Sequence, residues 1–153
     1  MKIALIGSFS PKFLHSSKLS ETFELEEKLN VFMQNRTYCD LVDEISIVIH
    51  CSEPEMEMLY PIYRPKYVAE QNQTIHSVLD IHLYKILMFN LKVGYESFYN
   101  SNKKEGLRII AQAILETLET LKYPVKLKKF DKLGFYNDMK TFFIEEGLIT
   151  VNG

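Results

Sequence analysis

The sequence predicts an α+β domain, with about three helices packed on one face of a mixed or antiparallel sheet. Three observations predict it. Ile45, Ile47, Ile49 and Cys51 alternate with Ser46, Val48 and His50, the period of two that sends neighbouring side chains to opposite faces of a sheet. Leu107, Ile110, Ile114, Leu118 and Leu121 recur at spacings of three and four, the stripe of one helix face. The chain has 153 residues, 46% of them hydrophobic and 25% charged, which suits one domain with a core of its own. No Pro/Gly-rich linker, repeat or low-complexity segment divides it, so residues 1–153 are expected to form a single globular domain.

Taken in order, residues 2–6 form an apolar first strand that Gly7-Ser8 should end, and 8–18 read as a loop through Pro11. Ser20 is placed to cap a helix with Glu21 and Glu24 in its first turn and Phe23, Leu29, Phe32 and Met33 facing inward, ending near Asn35-Arg36. Residues 44–51 are the strand already described. After the Ser52-Glu53-Pro54 turn, Met56, Met58 and Tyr60 alternate with Glu55, Glu57 and Leu59 as a second, antiparallel strand would. Pro61 and Pro65 confine the next stretch to a sheet edge or an irregular connection.

Residues 75–89 fit a helical face or a strand, with strand favoured for the first part, and 88–95 read as a further strand that Gly94 kinks or ends. Ser101 or Asn102 caps the helix of the Leu/Ile stripe, which Pro124 stops. A short strand over 125–129 comes next. Asp131 then caps a last helix with Phe135, Met139, Phe142 and Phe143 inward, ended by Gly147.

Several function classes are excluded by what the chain lacks. The first apolar run is too short for a signal-peptide core, and no stretch approaches the ~20 apolar residues of a membrane span, so a cytoplasmic protein without membrane contact is expected. Cys39 and Cys51 make no disulfide framework. His76 and His82, six apart, share neither a strand position close enough for one metal nor a helix face, so no metal site and no cofactor is expected. No Gly-x-Ser-x-Gly elbow and no glycine-rich phosphate loop occurs, and no catalytic residue is assigned.

The net charge of −2 conceals an asymmetry. Residues 20–60 carry ten acids against Lys28 and Arg36, a segment charge of −8. Five lysines crowd into 122–132 without the interleaved aromatics of a nucleic-acid site, and no nucleic-acid partner is expected. Glu53, Glu55 and Glu57 fall on one side of the expected strand, where like charges repel and call for a basic counterpart. A basic partner protein would supply it, and steering would quicken the encounter. The candidate contact residues are therefore Asp40, Asp43, Glu44, Glu53, Glu55 and Glu57, with Tyr60, Tyr63 and Tyr67 as aromatic anchors beside them.

Two resemblances bear on function. The segment Leu79-Asp80-Ile81-His82-Leu83 through Gly94-Tyr95-Glu96-Ser97-Phe98-Tyr99, with the helix Leu107 to Leu121 after it, is similar to part of one group of bacterial immunity proteins. These accompany polymorphic toxins, including those of contact-dependent growth inhibition. The resemblance covers about a third of the chain, mostly as hydrophobic pattern. It implies a stoichiometric inhibitor of a cognate toxin, in many cases a basic nuclease, with no catalytic residues of its own. Separately, Gly7-Ser8-Phe9-Ser10-Pro11 resembles the opening of pantetheine-phosphate adenylyltransferases and related nucleotidyltransferases, which implies a nucleotide-handling enzyme as the alternative. There Phe13 and Ser16 stand where that family places its two histidines, and Ser10 replaces its aspartate.

Overall fold

The computed structural model describes residues 1–40, 42–51, 75–77, 86–120 and 130–151. Four strands, β1 (Lys2–Phe9), β2 (Glu44–Cys51), β3 (Ile75–Ser77) and β4 (Ile86–Lys92), form one sheet in the order β1-β2-β4-β3. β1, β2 and β4 run parallel and β3 runs antiparallel to β4, so the sheet is mixed. The helices are α1 (Lys18–Phe32), α2 (Tyr95–Tyr99), α3 (Lys103–Thr120) and α4 (Lys132–Glu145), with a 3-10 turn at Pro11–His15. The architecture is α+β, as the hydrophobic periods predict.

Register builds the core. Ile3 pairs with Ile45 and Leu5 with Ile47, while Ile45, Ile47 and Ile49 pair with Leu87, Phe89 and Leu91. In-register neighbours share a face, so this apolar row lies under Ile110, Ile114 and Leu118 of α3 and Phe135, Met139, Phe142 and Phe143 of α4, all in one buried cluster. Ser46, Val48 and Asn90 on the other face are buried as well. The strand alternates in residue type more than in exposure, as an inner strand between parallel neighbours does.

The starts of α3 and α4 and the end of α4 obey their local signals. Asn102 Oδ1 accepts the Glu105 amide at 2.9 Å and Asp131 Oδ1 accepts the Gly134 amide at 2.9 Å, each satisfying an orphan N–H of a first turn. Gly147, with φ of 73°, closes α4 in the left-handed conformation that only glycine adopts without strain.

Five expectations are corrected. β1 runs through Gly7-Ser8 to Phe9, because the Phe9 ring folds back over Gly7: a Cβ there would stand 2.9 Å from Phe9 Cζ and 3.1 Å from Leu19 Cδ2. The expected loop after it contains the 3-10 turn. α1 starts at Lys18, because the Ser20 hydroxyl donates back to the Ser17 carbonyl at 2.9 Å and leaves the cap position to Ser17. Phe23 faces solvent, 57% exposed, because Lys18, Thr22, Leu25 and Leu29 take the inner face of α1. Finally, β4 stops at Lys92 and Tyr95 opens a helix. The expected strands over 56–60 and 125–129 lie outside the described residues, as does the middle of 75–89.

α1 also closes the edge of the sheet. The Lys2 amide bonds Asp43 O and the Ser10 amide bonds Cys51 O, so the even-numbered amides of β1 face β2 and the odd-numbered ones face outward. Asn30 meets that outward row at both ends, accepting from the Ile3 amide at 2.9 Å and donating to the Ile3 carbonyl at 2.6 Å. Glu26 accepts from the Leu5 amide at 2.7 Å. Two polar side chains of a helix thus stand where a fifth strand would pair.

Candidate functional site

The chemistry of the described residues gathers where the parallel strands end. Phe9 finishes β1, and Pro11 pre-sets the turn that drops Phe13 into the interior, fully buried. α2 brings Tyr95, Phe98 and Tyr99 to it at helical spacings of three and four. Ring centroids lie 5.1 Å from Phe13 for Phe9 and Tyr99 and 5.8 Å for Tyr95 and Phe98, most of them tilted or edge-on. Tyr95 and Tyr99 stack on each other at 5.5 Å. The cluster is buried at its base, at Phe13 and Phe98, and open at its rim, where Tyr99 and Leu14 are exposed.

A buried lysine fixes this corner. Lys18 Nζ donates to the Ser101 carbonyl at 2.7 Å, the Ser101 hydroxyl at 2.9 Å and the Asn102 carbonyl at 3.3 Å, which uses its three protons. It lies 5.3 Å above the Phe98 ring and 3.9 Å from Glu21. Gly106 leaves room for it, since a Cβ there would come 2.9 Å from both Lys18 Nζ and Ser101 Oγ.

On the opposite sheet face, Ser8, His50 and Lys92 occupy one register row. His50 Nε2 stands 3.0 Å from Asn90 Oδ1, and burial holds the imidazole below its usual pKa against the opposing effect of that hydrogen bond. The unfolded chain therefore binds the proton more readily than the folded one. Stability should be steady above about pH 6.5, the unperturbed histidine value, and fall as the pH drops below it. Thermal melts from pH 7.5 to 5 check this: His50→Gln, which cannot charge, should lose less than wild type. Parallel losses in the two proteins would remove His50 as the cause.

Of the sequence-predicted contact residues, Asp40 and Asp43 are exposed in the connection before β2. Glu44 is half-buried and already engaged, 3.1 Å from Lys2 Nζ and accepting from the Ser46 hydroxyl at 2.8 Å. These three sit at the start of β2, whereas Glu53 comes after Cys51 at its far end, about 23 Å along the strand at ~3.3 Å per residue. Glu53, Glu55, Glu57, Tyr60, Tyr63 and Tyr67 lie outside the described residues. Sequence reasoning missed the Tyr95 and Tyr99 pair as a surface element. Its signal, two tyrosines four apart before a capping Asn102, is masked when that stretch is read as the end of a strand.

The Gly7–Pro11 resemblance finds no phosphate cradle here: Gly7 to Phe9 is strand paired to β2, and Phe13 is the centre of the aromatic cluster. Among the described residues no group of His, Cys, Asp or Glu is placed to hold a metal ion, and no helix is long and apolar enough to cross a membrane.

Aromatic side chains open at a rim, exposed carboxylates and a packed core under them define a protein whose described chemistry lies on its surface. Residues 1–145 match the family model for Immunity protein 44, and the chain belongs to that family of toxin-system immunity proteins. Its function is to neutralise a toxin, and its partner is the cognate toxin. No curated protein and no solved structure matches the chain.

Proposed function

We propose that the chain is a cytoplasmic immunity protein that neutralises its toxin stoichiometrically, by occupying the toxin's surface and without catalysis. The family match over residues 1–145 carries this reading. The charge pattern supports a basic toxin of nuclease type, because the acids concentrate in residues 20–60. Asp40 and Asp43 stand exposed at one end of β2, and the run Glu53, Glu55, Glu57 with Tyr60, Tyr63 and Tyr67 comes after the other end in sequence. Acids of this kind raise the association rate, and aromatic anchors among them hold the complex once formed.

The test is a charge reversal. Glu53→Lys, Glu55→Lys and Glu57→Lys together should weaken binding to the toxin domain encoded in the adjacent reading frame by tenfold or more. The triple variant should also show a shallower dependence of Kd on salt than wild type. A triple variant whose Kd equals that of wild type from about 50 to 300 mM salt removes the acidic run from the interface and leaves the toxin-neutralising function standing.

A further inference from the structure

The outward face of α1 carries a ridge that the described residues leave exposed. Leu19, Phe23, Glu27 and Val31 succeed one another at intervals of four residues, the row along which helices interlock with a partner. Three of the four are large apolar side chains left in water, with exposures of 40% for Leu19, 57% for Phe23 and 72% for Val31. Ile6, next to the Gly7 that Leu19 covers, adds a fourth apolar group at the top of the ridge. The row rises about 18 Å at ~1.5 Å per residue, the length of a helix–helix contact.

The charges along the ridge select its occupant. Glu24 is paired with Lys103 at 3.0 Å, and Lys28 lies 3.4 Å from Glu146, so both point their charge to the flank shared with α3 and α4. Glu27 is exposed and meets no base among the described residues. Covering the ridge desolvates that carboxylate, which is unfavourable unless the partner brings a cation to it. A second copy of this chain does not: packed antiparallel on itself, the ridge would set each Glu27 against the partner's Phe23 and bury two carboxylates without a base.

Resting on the toxin-neutralising reading, we infer that this ridge docks into an apolar groove of the toxin that carries a lysine or arginine opposite Glu27. Phe23 fills the groove as the anchor and Glu27 sets the register.

The experiment uses the full chain and the toxin domain encoded beside it, with growth protection and Kd as separate readouts. Phe23→Ala should raise Kd about thirtyfold, the scale of an interface hot spot. Glu27→Lys should raise it at least tenfold, and reversing the opposing base on the toxin to Glu should restore it. All four side chains stand in solvent, so melting temperatures should stay within a few degrees of wild type.

A Leu19→Ser, Phe23→Ser, Val31→Ser triple variant that keeps its melting temperature and binds within threefold of a protective wild type overturns the ridge and spares the family function. A wild type that neither binds nor protects overturns both. A wild-type homodimer dispersed by Phe23→Ala, with toxin affinity unchanged, makes the occupant a second copy and also overturns the inference.

Discussion

Phe13→Ala should lower stability by about 3–5 kcal/mol, the range for emptying a buried aromatic site. Phe13 is the buried residue of its five-residue turn, so its ring is what ties the turn down. Four other aromatic rings close on it within 5.8 Å, from β1 and from α2. Removing it opens a cavity shared by elements that cannot collapse together: β1 is fixed by its ladder to β2, and α2 by the Lys18 clamp beneath it. The loss should appear as a melting temperature lower by roughly 6–20 °C, at about 2–4 °C per kcal/mol for a chain this long. A smaller, volume-keeping change, Phe13→Leu, should recover much of it. A Phe13→Ala protein that melts within about 2 °C of wild type would show that the turn is held elsewhere.

Lys18→Met should cost about 3 kcal/mol by a different route, through unmade hydrogen bonds. Methionine fills much of the same space, so little cavity forms. The loss is the donor set: two carbonyls and a hydroxyl at the α2–α3 junction are left without the proton each received, at roughly 1 kcal/mol or more apiece. Glu21 loses its nearby cation as well. Arginine should not rescue, since Gly106 and Ser101 crowd the ammonium and leave no room for a guanidinium. Urea unfolding of Lys18→Met, Lys18→Arg and wild type measures this; equal midpoints for all three would reduce the clamp to a coincidence of geometry. Phe13 and Lys18 both touch Phe98, so the double variant should fall short of the summed losses.

The difference between what can and cannot be read in advance is one of range. β2 and α4 are set by signals within a few residues: the alternation of Ile45 to Cys51, the Asp131 cap and the Gly147 stop. Each is settled by the chain's own sterics and hydrogen bonds. The direction of the strands is not, because whether β4 lies parallel to β2 depends on the connection between them. The outward turn of Phe23 is hidden for a related reason. α1 has apolar residues on two faces, and only the tertiary demand for Lys18 and Thr22 inside decides which face turns inward. The burial of a lysine depends on three acceptors more than eighty residues away, which no local pattern announces.

Of the candidate contact residues, the exposed position of Asp40 and Asp43 is legible from their place before a strand, while the engagement of Glu44 by Lys2 is not. That pairing joins residues forty-two apart through the register of two parallel strands.

The way Asn30 and Glu26 occupy the outer edge of β1 bears on how much of this protein a cell can hold. On the proposed stoichiometric mechanism every toxin molecule needs its own copy, so the chain has to accumulate without sticking to itself. Sheets join through vacant backbone groups, and the Ile3 amide and carbonyl and the Leu5 amide are already taken by the protein's own side chains. The same bonds stand in the way of a strand from a half-made neighbour on the ribosome. Safety in storage is thus supplied by Glu26 and Asn30, the immediate chain neighbours of Glu27 and Val31, so one helix both guards the sheet edge and presents the proposed ridge.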